Sequence, residues 1–108
     1  MNNTDALRPL LFALGLSAKA GALIYGTPMI CEALKKGKTV YLVLAAQDNS
    51  PNSAKRLSDR CAFYGVRLVE TEVTGEALAH AVGKSARLAA VAVTDENLAR
   101  LVTARLDP

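Results

Sequence analysis

Two stretches of this chain are apolar almost without a break, and they limit what it can fold into. They are Thr39-Val40-Tyr41-Leu42-Val43-Leu44-Ala45-Ala46 and Ala86–Thr94, the latter with Leu88, Ala89, Ala90, Val91, Ala92 and Val93. A strand with one wet face alternates apolar and polar residues. A continuous apolar run of strand length instead reads as a strand covered on both faces. The first run is expected at the centre of a sheet, and such a sheet needs helices on each side. Helical patterns do alternate with the strand-like runs. The fold class predicted is therefore α/β, as a three-layer α/β/α sandwich with a mostly parallel or mixed sheet.

The remaining elements follow from spacing and punctuation. Leu7, Leu11 and Leu14 form one stripe and predict a first helix over about 6–19. Asn2-Asn3-Thr4-Asp5 offers its cap, and Pro9 is tolerable only if it falls in the first turn or so. Gly21 ends this helix, and Ala22–Tyr25 reads as a short strand. A second helix runs from about Pro28 to Lys36, with Thr27 as N-cap and Gly37 just past its end. Its apolar face is Met29, Ile30, Ala33 and Leu34, with Pro28, Glu32, Lys35 and Lys36 pointing away. After the loop Gln47-Asp48-Asn49-Ser50-Pro51, a third helix covers about 51–64. It turns Ala54, Leu57, Cys61 and Tyr64 inward and Lys55, Arg56, Asp59 and Arg60 outward, and Gly65 stops it. Val66–Glu70 is a third strand. Thr74 caps a short helix over Gly75–Val82, ended by Gly83. Asp95 caps the last helix, Glu96–Leu106, striped by Leu98, Leu101, Val102 and the stem of Arg105.

Composition narrows the function. At 108 residues the chain, 1–108, is expected to be one domain, and 51% apolar against 21% charged residues makes it globular. Aromatics are only 5% with no Trp, so a core of Ala, Leu and Val must pack closely. The net charge of +3 permits an anionic partner without demanding one. The apolar runs are too short to span a bilayer, and Arg8 with Pro9 spoils the N-terminus as a signal peptide, so a cytoplasmic location and no membrane partner are expected. Cys31 and Cys61 match no metal spacing. Neither a dinucleotide fingerprint nor a P-loop occurs. Asp48 has no second carboxylate near it and reads as a capping or turn residue. His80, the only histidine, has no acid or cysteine at a catalytic spacing. No enzyme activity, cofactor or metal is expected.

The turn Tyr25-Gly26-Thr27-Pro28 is the most suggestive local feature. A glycine, a cap and a proline opening a helix leave free backbone N–H groups at the positive end of the helix dipole, which suits a phosphate. Lys35, Lys36 and Lys38 also suit the negative end of the same helix for purely structural reasons.

A resemblance is carried by pieces in a fixed order. They are Leu14-Gly15-Leu16-Ser17-Ala18-Lys19-Ala20-Gly21 and Tyr25-Gly26, then Glu32-Ala33-Leu34-Lys35-Lys36-Gly37-Lys38 and Leu42-Val43-Leu44-Ala45-Ala46-Gln47-Asp48. Cys61, Tyr64-Gly65-Val66, Glu76-Ala77-Leu78-Ala79-His80-Ala81-Val82-Gly83 and Val91-Ala92-Val93-Thr94-Asp95 complete the set. Over about residues 7 to 104 the chain resembles the kink-turn RNA-binding ribosomal-protein family, which includes archaeal large-subunit proteins. Its opening stretch is closest to the small bacterial, ribosome-associated branch.

The resemblance implies an α/β/α sandwich around a four-stranded mixed sheet and an RNA partner, structured or ribosomal. It places the RNA surface at Gly26, Thr27, Pro28, Met29 and Glu32, with Val73, Thr74 and Gly75, and puts a basic residue at Lys36. Lys19, Lys35 and Lys38 are expected nearby as electrostatic support. Members that grip a kink-turn carry, after the glycine, a small residue, then Asn, Glu, two variable positions and Lys. This chain has Pro28, Met29 and Glu32 where those three fall, so weakened kink-turn specificity is implied. The stress-response branch of the same fold, which lacks the RNA residues, implies an alternative: a non-catalytic regulator that contacts protein, for which Met29 at the helix start is suited.

Overall fold

The computed structural model describes residues 3–106. The elements are α1 (Asn3–Lys19), β1 (Leu23–Tyr25), α2 (Thr27–Lys35), β2 (Leu42–Ala45) and α3 (Pro51–Tyr64), followed by β3 (Leu68–Glu70), α4 (Gly75–Ala81), β4 (Ala90–Val93) and α5 (Glu96–Leu106). The sheet order is β1-β4-β2-β3. β4 runs antiparallel to both β1 and β2, and β2 runs parallel to β3, so the sheet is mixed.

The two apolar runs supply the two central strands, and every residue of β2 and β4 is buried. Alternation divides their side chains between two cores. Leu42, Leu44, Val91 and Val93 face a layer made by α1, α4 and α5, with Leu10, Leu14, Leu78 and Val102. Val43, Ala45, Ala90 and Ala92 face α2 and α3, through Ile30, Leu34, Leu57 and Cys61. The second face is built of smaller residues, which lets α2 and α3 lie close to the sheet. Burial pushes the pKa of the Cys61 thiol up to about 11, with Cys31 adding to the effect. Both free cysteines are buried, where a thiol packs as a small apolar group. Among the described residues, no helix is long and apolar enough to cross a membrane.

Several expectations need correction. The first helix already starts at Asn3, so the proposed cap is absorbed into it, and Asn2 lies outside the described residues. Pro9 therefore sits in the helix interior, where it removes one backbone hydrogen bond. The buried stripe of α1 centres on Leu10, Ala13, Leu14 and Ser17, with Leu7 and Leu11 at its margins. Both central strands are shorter than the apolar runs. Tyr41 turns outward before β2 begins, and the chain at 86–88 is a loop spent on contacts with α4.

Thr27 is not the N-cap of α2. Gly26 is, at φ 86°, with no side-chain cap bond, and Thr27 is buried in the first turn. Its hydroxyl meets Ser53 Oγ across the α2–α3 contact at 2.7 Å. That contact rotates the buried stripe of α2 toward α3, so Cys31 is inside and Met29 is 61% exposed. On α3, Tyr64 is exposed where burial was expected, and on α5 Ala99 is buried while Arg105 is exposed.

The same helix offers a stability test. Leu57 is fully buried, so Leu57→Ala is expected to cost about 2–5 kcal/mol in chemical denaturation. Tyr64→Ser, at the exposed end of the same helix, is expected to change stability by about 0.5 kcal/mol or less. Equal losses from the two would contradict the packing described.

Candidate nucleic-acid interface

Two turns were expected to form one surface, and both are fastened to the segment that leads into β4. The Gly26 N–H donates to the Ala90 carbonyl at 2.9 Å. The Leu88 N–H donates to the Gly75 carbonyl at 3.0 Å. Gly75 has no room for a side chain, because a Cβ would lie 2.7 Å from the Leu88 carbonyl oxygen. The approach of these two backbones is what requires glycine here.

At the start of α2, Pro28 has no N–H, and the Ile30 N–H is already given to the Gly26 carbonyl at 3.0 Å. Thr27 and Met29 are left as the two positions whose N–H groups have no intrahelical acceptor. At the start of α4, the Thr74 side chain caps Ala77 N–H at 3.1 Å, as expected. Asp48 reaches over from the end of β2: its Oδ1 accepts from the Gly75 N–H at 2.8 Å. Its Oδ2 pairs with Arg87 at 2.9 Å, and Arg87 also donates to the Asp48 carbonyl at 3.2 Å. Asp48 is thus a clip between two loops, as its reading as a capping residue suggested. The Gly75 N–H is committed to it.

The surface around these turns has two shallow hollows. One, of about 350 Å³, lies between β1 and α2 and is lined by Leu23, Ile24, Tyr25, Met29, Glu32, Ala33, Lys36 and Lys38. The other, of about 600 Å³, lies beside α4 and is lined by Thr74, Glu76, Ala77, Ala79, His80, Lys84, Ser85 and Arg87. Lys84 Nζ sits 4.4 Å from the centre of the Tyr25 ring, and this cation–π contact joins the two hollows.

The residues expected at the interface are distributed unevenly. Met29, Glu32 and Lys36 share the first hollow, and Thr74 lines the second. Pro28 is exposed and Gly26 half-buried beside them. Thr27, Val73 and Gly75 are buried, so their side chains shape the turns from within. Val73 in particular belongs to the core beside Leu78. Lys19 and Lys35 are exposed but line neither hollow. The Glu32 carboxylate is held by Lys36 at 3.5 Å. Tyr25, Lys84 and Arg87 were missed as site residues. Lys84 and Arg87 flank Ser85-Ala86 ahead of a buried strand, and that basic spacing was the available signal. Among the described residues there is no group of three or more His, Cys, Asp and Glu side chains that could hold a metal ion.

A mixed four-stranded sheet between two helical layers, with two glycine turns opening beside each other, defines a small ribosomal-protein type of scaffold. The chain belongs to the ribosomal protein L7Ae/L30e/S12e/Gadd45 family, whose sequence model matches residues 10–103. It is 33% identical over 94 residues to the RNA-binding protein YlxQ of Bacillus subtilis (strain 168), covering 87% of this chain and 91% of that one. A solved protein of unknown function from Bacillus halodurans C superposes with a TM-score of 0.82 at 29% identity, over 92% of this chain and 97% of that one. The Giardia lamblia 15.5kD RNA binding protein shares the fold, with a TM-score of 0.77 at 22% identity over 98% and 88% of the two chains.

The Asp48 clip should be visible in acid. The Gly75 N–H foremost, and then Arg87, hold the Asp48 carboxyl below its ordinary 3.8. A carboxylate favoured in the folded state stabilises it fully above the unfolded pKa, and the benefit is lost as pH falls through the lower folded value. The Gly75 amide resonance is therefore expected to titrate with a midpoint below 3.8, and to lose that titration in Asp48→Asn. A midpoint at or above 3.8 would rule the clip out.

Proposed function

We propose that this protein binds structured RNA, ribosomal RNA included, through the two joined hollows. The observation that carries the reading is the gathering of basic side chains from two segments beside one tyrosine, where Glu32 pairs Lys36 and Asp48 pairs Arg87 but Lys38 and Lys84 have no acidic partner among the described residues. Lys36 and Lys38 line the β1–α2 hollow, Lys84 and Arg87 line the α4 hollow, and Tyr25 lies between them. Family membership and the name of the Bacillus subtilis relative support the same partner. Such a surface engages phosphates by charge, with the N–H of the exposed Met29 as a main-chain donor.

Base-edge readout is weak in this reading. Pro28 and Met29 offer no amide or carboxylate to a base, and Glu32 puts a negative charge beside the path of the phosphates. Each good base contact is worth about 1–3 kcal/mol of discrimination, so kink-turn RNA is expected to be only slightly preferred over other structured RNA. Met29, at 61% exposed, favours a second reading as a protein contact. A partner retained after nuclease treatment would support that reading over the first.

Fluorescence anisotropy with kink-turn, hairpin and ribosomal-RNA fragments tests the proposal. Affinity should fall steeply with salt, and Lys84→Gln should weaken all RNAs alike and reduce the log–log salt slope by about 0.9. Absence of binding at low salt ends the proposal. Glu32→Gln removes the opposing charge and frees Lys36, so it is expected to tighten binding by about two- to fivefold at low salt. Unchanged or weaker binding would place the RNA path elsewhere.

A further inference from the structure

The outer face of α3 takes no part in the fold and carries an unusual combination of side chains. Asn52, Arg56, Arg60 and Phe63 follow one another along it at helical spacing, and together with Lys55 and Asp59 they border a shallow, open groove confined to the surface of this one helix. Lys55 and Asp59 neutralise each other at 3.0 Å. Arg56 and Arg60 have no partner among the described residues, so the groove carries their two positive charges uncompensated. Phe63 is 79% exposed and has no place in either core. Its ring is braced edge-on by Tyr64, with centroids 4.9 Å apart and planes at 82°.

The groove also has a direction. Ser53, in the first turn of α3, is hydrogen-bonded to Thr27 in the first turn of α2 at 2.7 Å. The groove therefore begins beside the helix start that faces the proposed RNA site. From Asn52 to Phe63 the helix rises about 16 Å. Unpaired arginines followed by an exposed ring are the chemistry that holds single-stranded nucleic acid: charge tracks the backbone, and the ring stacks a base without reading it.

We infer that this face of α3 is a second RNA-binding track, which takes a single-stranded flank leaving the structured element held at α2 and α4. Arg56 and Arg60 meet successive phosphates, and Phe63 stacks one base at the far end. The inference rests on the proposed RNA binding, and it adds the nature of the RNA: a folded core with an unpaired tail.

The test uses the full chain and three RNAs with the same kink-turn stem: one blunt, and one with a six-uridine tail at each end in turn. The tail is expected to tighten binding by about fivefold or more, the effect of one stacked base. Phe63→Ala should abolish that gain and leave blunt-RNA affinity unchanged. Arg56→Gln with Arg60→Gln should remove about 1.4 from the salt slope of the tailed RNA only. These side chains are exposed, so unfolding is not expected, and thermal melts check it. Tight binding of all three RNAs with no gain from either tail, or a gain untouched by these variants, overturns the track and leaves the main site standing. Failure of all three RNAs to bind overturns the main site and the track with it. Self-association that Phe63→Ala abolishes, with no tail effect, assigns the face to protein contact and overturns the track as well.

Discussion

The turns at the site hang from three consecutive residues, Leu88, Ala89 and Ala90, that lead into β4. The Leu88 N–H holds the Gly75 carbonyl, the Ala89 carbonyl takes the Ala46 N–H at 2.8 Å, and the Ala90 carbonyl takes the Gly26 N–H. Three turns from distant parts of the chain are thereby fixed against one stretch of backbone: the turns into α2 and α4, and the loop that follows β2. Because β4 lies between β1 and β2, with every residue buried, that stretch can hardly move without opening both cores. Residues on loops are positioned by the scaffold beneath them, and here the scaffold is a central strand rather than a helix.

This arrangement explains the chain's reliance on small residues. Ala45, Ala90 and Ala92 line the face where α2 and α3 pack, which lets α2 sit close to the strand that holds its first turn. Larger side chains there would lift α2 and stretch the Gly26–Ala90 bond. The bulk is placed on the other face, where Leu42, Leu44, Val91 and Val93 fill the space under three helices. A core with no Trp and few aromatics follows from the same demand for close approach on one side of the sheet.

Much of this was legible in the sequence, and what was not has a common cause. Local signals located α3 and α5 to the residue, and identified Thr74, Asp95, Gly37, Gly65 and Gly83 as stops or caps, because those depend on a few neighbouring dihedrals and one hydrogen bond. The sandwich was readable from two unbroken apolar runs. Side-chain placement decided between neighbouring elements was not readable. Thr27 looked like a cap but is claimed by Ser53, 26 residues away. Met29 looked apolar and therefore inner, yet the tilt of α2 toward α3 gave its place to Cys31. At the site, Lys36 could be found from its position on α2, but Lys84 acquired its role only through the ring of Tyr25, nearly sixty residues earlier.

On the proposed reading, a scaffold of this kind takes an anionic partner without a base-reading code. Base discrimination depends on particular side-chain atoms at particular positions, and at 28, 29 and 32 this chain offers a ring, a thioether and a negative charge. Phosphate attraction depends only on net positive charge at roughly the right distance, and it tolerates relocation of that charge along the surface. The cations near Tyr25, Lys36, Lys38, Lys84 and Arg87, come from the turn after α2 and the loop after α4, and none of them must be spaced for bidentate contact. The Asp48–Arg87 clip serves the fold instead: it spends an acid, a main-chain donor and the charge of Arg87 on keeping the α4 turn in place.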